Sequence, residues 1–179
     1  MAPCDAFLVP DPDRVAFWKQ RLAGLGPGPY VGMSWKSPVV TPERSPNYTR
    51  IDEWAALFDQ PIRFVNLQCG EAGDDLAWAE RELGVTVHDF EDIDLFNALD
   101  DVAALSAALD LSIFVSTASA AITAGVGTPT WVLAWRQSPW NNFLLAPRGP
   151  EVACFERDTG ETWGPVFTAM AERLGDLSG

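Results

Sequence analysis

The stretch DLSIFVSTASAAITAGVGTPTW, Asp110 to Trp131, carries one charge, on its first residue, in a 179-residue chain with a formal net charge of −13. LSIFV (111–115) is a short apolar run bounded by turn-forming residues, which predicts a buried strand. The Ser/Thr/Ala segment after it predicts a helix over about 118–125. Gly125 permits close helix packing, and Gly127 permits a left-handed turn into Thr128-Pro129. TPTWVLA (128–134) restarts a strand. A strand, a helix of small residues and a second strand within 25 residues form a βαβ unit.

The same alternation extends outward in both directions. DPDRVAFWKQRLAGLG (11–26) predicts a helix, with Asp11 as cap, Pro12 in the first turn and Val15, Trp18 and Leu22 on one face. GPGP (26–29) breaks it, and YVGMSW (30–35) reads as a buried strand. Thr49 with Asp52 resembles a capping box that opens the helix IDEWAALF (51–58). IRFVNLQ (62–68) predicts a strand, AGDDLAWAERELG (72–84) a helix ended by Gly84, and VTVHDF (85–90) a third strand. EDIDLFNALDD (91–101) reads as a carboxylate-rich loop and VAALSAALD (102–110) as a helix. A closing helix lies within residues 161–177. The expected fold is α/β: a Rossmann-like parallel sheet of about five strands with helices on both faces. Residues 1–29 form a linker helix segment and 30–179 the Rossmann-like domain.

Twelve bases against 25 acids argue against nucleic acid or an anionic membrane surface as partner. There is no apolar run of 18 residues and no signal-peptide pattern, so no membrane span is expected. Cys4, Cys69 and Cys154 are odd in number and widely spaced. They fit neither a disulfide framework nor a zinc site, and a reducing cytoplasm is the natural setting. His88 is the one histidine, and no GxSxG elbow accompanies it, which disfavours a hydrolase. Neither GxxxxGK[ST] nor GxGxxG is present.

Parallel sheets bind ligands beyond the carboxyl ends of their strands. Those positions hold Ser34, Trp35, Lys36 and Ser37 after the first strand, and Asn66, Gln68 and Gly70 after the second. They hold Asp89, Glu91, Asp92 and Asp94 after the third, and Ser116, Thr117 and Ser119 after the fourth. Residues 36–50 contain Lys36, Arg44 and Arg50 against one acid, Glu43. Residues 111–150 contain Arg136 and Arg148 and no acid. If the first and fourth strand ends adjoin, they form a positive zone on an acidic body. Ser116 or Thr117 can cap the helix, and its remaining free N–H groups can receive an anion. Two readings of this segment stand: close packing with an ordinary cap, or an anion site. Lys36 is either a solvated lysine or a phosphate point charge. The 89–94 cluster is either a solvated acidic loop or an acceptor of ribose hydroxyls. The tryptophans, Trp135, Trp140 and Trp163 among them, read first as core residues.

VGMSWKS, RFVNLQCGE, HDFEDIDLFNALDDVAALSAALDLSIFVSTASAAITAGVGTPTWVL and SPWNNFLLAPRGPEV resemble the C-terminal part of a bacterial family. These are TPR-repeat proteins carrying a GT-B glycosyltransferase module, related to the ADP-heptose heptosyltransferases and distantly to the O-GlcNAc transferases. The pattern departs at Ala120, Ala121 and Ile122, where the heptosyltransferases place a histidine. The resemblance implies the nucleotide-sugar-binding C-terminal half of a GT-B fold, with Lys36, Ser116, Thr117 and Ser119 meeting phosphate. Residues around Gln68 and from Asp89 to Ile93 would meet nucleoside, and Ser34, Trp35 and Ser37 belong to the loop on the diphosphate. It also implies metal-independent sugar transfer with no cofactor. Lys36 would stabilise the leaving diphosphate, and an N-terminal acceptor or TPR domain, on the same or another chain, would complete the enzyme. The alternative is a non-catalytic nucleotide-binding or protein-interaction module derived from that fold.

Overall fold

In the computed structural model, the structure describes residues 6–138 and 152–175. After α1 (Pro12–Ala23), the chain enters β1 (Tyr30–Ser34). It then passes through 3-10 turns at Ser45–Asn47 and Ile51–Trp54 into a single α-helical turn, α2 (Ala55–Phe58). β2 (Arg63–Asn66), α3 (Gly73–Leu83), β3 (Val87–His88) and α4 (Leu99–Ser106) follow. The second half holds β4 (Leu111–Val115), α5 (Ala118–Gly125), β5 (Thr130–Trp135), β6 (Val152–Arg157) and α6 (Gly164–Gly175). The strands form one six-stranded sheet in the order β3-β2-β1-β4-β5-β6, and every pairing is parallel. The chain steps from β1 outward to β3, then returns to place β4 on the other side of β1. The topological switch point therefore falls between β1 and β4.

Alternation along the central strands divides the core in two. Val31, Met33 and Trp35 of the first strand, with Leu111, Ile113 and Val115 of the fourth, face Trp54, Leu57, Phe58, Phe167, Met170 and Leu174. Phe114 and Val132 face the opposite way, onto Trp18, Leu22, Ala104, Leu105 and Ala120. Gly32 lies on this second face, where a Cβ would sit 2.6 Å from Leu67 Cδ1 and 2.7 Å from Leu109 Cδ1. An apolar segment, Phe7–Leu8, crosses the end of α5. Both of its amides donate to Gly125 O at 2.9 Å, and the Leu8 and Phe7 side chains occupy the space a Cβ on Gly125 would need.

Several expectations are corrected. There are six strands rather than about five. VACFER is an outer strand paired on β5 with a half-buried pattern, and an edge strand has no continuous apolar run to announce it. The third strand is only two residues long. α4 begins at Leu99, inside the segment read as a loop, and ends at Ser106. Thr49 and Asp52 form no capping box; only its return half is present one residue on, where the Arg50 amide donates to the Glu53 carboxylate at 2.8 Å, because an arginine side chain has no acceptor to complete the pair. Thr49 Oγ1 instead donates to Trp35 O and accepts from the Trp54 indole N–H. Asp11 caps α1 through the Asp13 and Arg14 amides, with Pro12 beside it, and Gly84 ends α3 at φ 66°, both as expected. α1 packs Trp18 and Leu22 into the second core. Among the described residues, no helix is long and apolar enough to cross a membrane. No group of three or more His, Cys, Asp or Glu there is placed to hold a metal ion.

The packing of the second core and the burial of His88 each carry a testable consequence. Gly32→Ala overfills the second core and should cost about 1–3 kcal/mol in chemical denaturation. His88 is held below the ordinary imidazole value of 6.5, first by burial and then by Arg63. As pH falls through 6.5 the unfolded chain therefore takes up this proton before the folded chain does. The stability contribution is intact above that pH and is lost as pH falls toward the folded-state value. Denaturation midpoints measured between pH 7.5 and 5.5 should fall on acidification, and His88→Gln should flatten that slope.

Candidate functional site at the strand ends

The ends of β1, β2 and β3 are tied together by one chain of amide contacts. Oε1 of Gln68, a fully buried residue, accepts from Ser34 Oγ at 3.0 Å, Trp35 N at 3.1 Å and Lys36 N at 2.9 Å. Its Nε2 donates to Cys69 O at 2.7 Å, and its own amide donates to Asn66 Oδ1 at 2.8 Å. Asn66 Nδ2 then reaches Asp89 Oδ1 at 2.9 Å. These contacts hold the turn after β1, and Gln68 also lines a groove with Asp89 and Ile93. Ser34 is buried with it, and Ser37 Oγ accepts from the Val39 amide. Asn66 belongs to this set, and its position at a strand end alone had suggested no role for it.

At the neighbouring strand end the situation is reversed. Thr117 occupies the N-cap position of α5 in extended conformation, yet its side chain makes no capping bond. Its Oγ1 and the Oγ of Ser116 are both buried atoms with no hydrogen-bond partner. The expectation that one of them caps the helix is therefore not met. Both hydroxyls belong to residues at the start of α5, where the helix dipole favours negative charge. Leaving such hydroxyls unpaired costs about 1–3 kcal/mol each, which an arriving acceptor restores. Ser119, half-buried, follows on the first turn of the helix. The strand register pairs Ser34 with Phe114, so the turn carrying Lys36 ends beside this helix start.

The charge map read along the chain changes in space. Lys36 Nζ lies 2.5 Å from Asp75 Oδ2 of α3, and the same oxygen accepts from the Trp35 indole N–H at 2.8 Å. Arg50 pairs with Asp52. Arg136 pairs with Glu156 and Asp158 of the sixth strand and the turn after it. Carboxylates outside the two acid-poor segments thus neutralise three of the bases counted as a positive zone. Arg148 lies outside the described residues, as does Trp140. Asp75 carried no sequence signal, because its pairing with Lys36 spans 39 residues. Lys36 and Asp75 share one wall of a cleft of about 350 Å³, closed on other sides by Trp78 and Arg50.

Asp89 and Ile93 come together in a separate groove of about 420 Å³, between residues 66–73 and the loop after β3. Asp89 and Glu91 are exposed there and Ile93 is half-buried. Asp94 accepts from the Phe96 and Asn97 amides and from the Asn97 side chain, which holds its carboxyl below the ordinary range. Burial, aided by the charge of Asp94, raises the Cys69 thiol, so this cysteine is not an activated nucleophile.

A six-stranded parallel sheet in this order, flanked by helices, is a glycosyltransferase-like fold of the GT-B kind. Two solved structures carry it. One is a glycosyl transferase family 9 protein from Veillonella parvula, with a TM-score of 0.62 and 12% identity over 96% of this chain and 49% of that one. The other is the E. coli ADP-heptose LPS heptosyltransferase II, with a TM-score of 0.64 and 16% identity over 95% of this chain and 51% of that one. At such identities the likeness is one of fold. In sequence, the chain is 41% identical over 177 residues to Protein FlbA of Caulobacter vibrioides. That match covers 97% of this chain and 30% of the Caulobacter protein. No family model matches the chain.

The amide network makes a stability prediction of its own. Gln68→Leu keeps the volume but leaves the Trp35 and Lys36 amides without their acceptor. It should therefore cost about 2–6 kcal/mol in urea denaturation, the sum of two unpaired N–H groups.

Proposed function

We propose that this chain is the nucleotide-sugar donor-binding domain of a metal-independent glycosyltransferase. The observation that carries the reading is the pair of buried, unpartnered hydroxyls of Ser116 and Thr117 at the start of a helix free of acidic residues in its first turn. A diphosphate placed there accepts from both hydroxyls and from the first-turn amides, Ser119 among them. The nucleoside extends over the ends of β1 and β2 into the groove lined by Asp89 and Ile93. Asp89, held by Asn66, is the acceptor offered to ribose hydroxyls. Gln68 serves this site from below by shaping the Ser34–Ser37 turn. The E. coli neighbour is an ADP-heptose heptosyltransferase, which makes ADP the first nucleotide to try.

In the transfer step, an acceptor hydroxyl oxygen forms a bond to the anomeric carbon. The bond from that carbon to the β-phosphate oxygen breaks, and its electron pair leaves with the nucleoside diphosphate. Lys36 and the α5 amides stabilise the charge that develops on the leaving group. Lys36 must then give up or share its bond to Asp75. The acceptor hydroxyl gives its proton to a base on an acceptor-binding half, on the same or another chain, of the kind that TPR-linked enzymes carry. The chain spans about half of each solved neighbour, so turnover belongs to the combination and binding to this domain.

A thermal-shift screen against ADP, UDP, GDP and CMP and their sugar conjugates tests the reading. One nucleotide should raise the melting temperature, with about 2.7 kcal/mol of stabilisation at 100 times its dissociation constant. Ser116→Ala/Thr117→Ala and Lys36→Ala should each weaken that shift while leaving the unliganded protein folded. No shift with any nucleotide sinks the proposal.

A further inference from the structure

The loop after β3 is held from outside the sheet by two side chains of α1, Trp18 against Phe90 and Arg21 against both Phe90 and Asp92. The Arg21 guanidinium lies 4.5 Å from the centre of the Phe90 ring and 5.0 Å from that of Trp18, and it bonds Asp92 Oδ2 at 2.5 Å. Trp18 and Phe90 are themselves in contact, with ring centres 5.2 Å apart, and both are buried. Arg21 thus grips two positions of the loop, one through its aromatic face and one through its carboxylate. Asp92 is the one residue between Asp89 and Phe96 that does not line the groove. The residues on either side of it, Glu91 and Ile93, do.

We infer that Arg21 is a positioning residue for the nucleoside groove: through Phe90 and Asp92 it sets the height and orientation of the loop that presents Asp89, Glu91 and Ile93. This rests on the proposed nucleotide reading and assigns the linker helix a part in it. Arg21 touches no ligand. Its contribution comes from ordering the loop before the ligand arrives, so that binding does not have to supply that order. The phosphate end, at Ser116 and Thr117, belongs to a different strand end and is not held by Arg21.

The separation between the two ends supplies the test. The dissociation constants of the best-binding nucleoside diphosphate and of inorganic pyrophosphate are measured by calorimetry or NMR titration on the full chain and on Arg21→Ala, Arg21→Lys and Asp92→Asn. Arg21→Ala should weaken the nucleoside diphosphate about five- to tenfold, given the strength of such cation–π and ion-pair contacts, and leave pyrophosphate unchanged. Arg21→Lys, which keeps the charge but loses the planar stack, should recover part of the loss. Asp92→Asn should cost about twofold; if Arg21→Ala does not fold, this variant and Arg21→Lys carry the same comparison. Unchanged nucleotide affinity in folded variants overturns the inference and leaves the nucleotide site standing. Equal losses for both ligands also overturn it, because they mark a general destabilisation. A wild-type chain that binds pyrophosphate but no nucleotide removes the nucleoside groove and this inference together, and one that binds neither removes the proposed function itself.

Discussion

Three hydrogen bonds converge on one oxygen, Oε1 of Gln68, from the hydroxyl of Ser34 and the amides of Trp35 and Lys36. A parallel strand that ends at a switch point has no further ladder partner to take up its last amides. Here the next strand over lends a side chain for that purpose. The turn after β1 is therefore shaped by a residue of the β2 loop, which is in turn fixed by Asn66 and, through it, by Asp89. The three strand ends are coupled into one unit. The fourth, at α5, stands apart from this network, and its hydroxyls are left unpaired.

Electrostatically, the domain remains acidic even where its sequence is locally basic. Lys36, Arg50 and Arg136 each have a carboxylate at hydrogen-bond distance. Exposed pairs of this kind add little stability, typically about 0–1 kcal/mol, but they fix where the cations point. Any attraction for an anion rests on short-range groups, the hydroxyls, amides and helix dipole, more than on a broad positive field. Away from the helix start, an anion meets the potential of a chain with net charge −13.

The elements that could be read in advance are those with local causes. The Asp11-Pro12 start of α1, the Gly84 stop of α3 and the apolar runs of β1, β4 and β5 each depend on residues within a few positions of one another. The βαβ alternation followed from them. What could not be read depends on partners far along the chain. β6 is a strand because β5 accepts it, and VACFER alone has no period to show this. Thr49 looked like a cap because Ser/Thr followed by an acid three residues on is a local pattern, but the Trp35 carbonyl and the Trp54 indole claim its hydroxyl. Lys36 was found by position, and Asp75 could not be, since nothing in a helix of ordinary amphipathic composition marks one aspartate for a lysine 39 residues earlier. Ser116 and Thr117 were recognisable as hydroxyls at a helix start, but not as hydroxyls without partners.

The bonds from Phe7 and Leu8 to the carbonyl of Gly125 impose an order on assembly. This segment is synthesised more than a hundred residues before its acceptor, and at about 5–20 residues per second it waits roughly 6–25 s for α5 to emerge. During that interval two apolar side chains have no surface to cover. The segment can make these bonds only once α5 has emerged, so it docks well after its own synthesis.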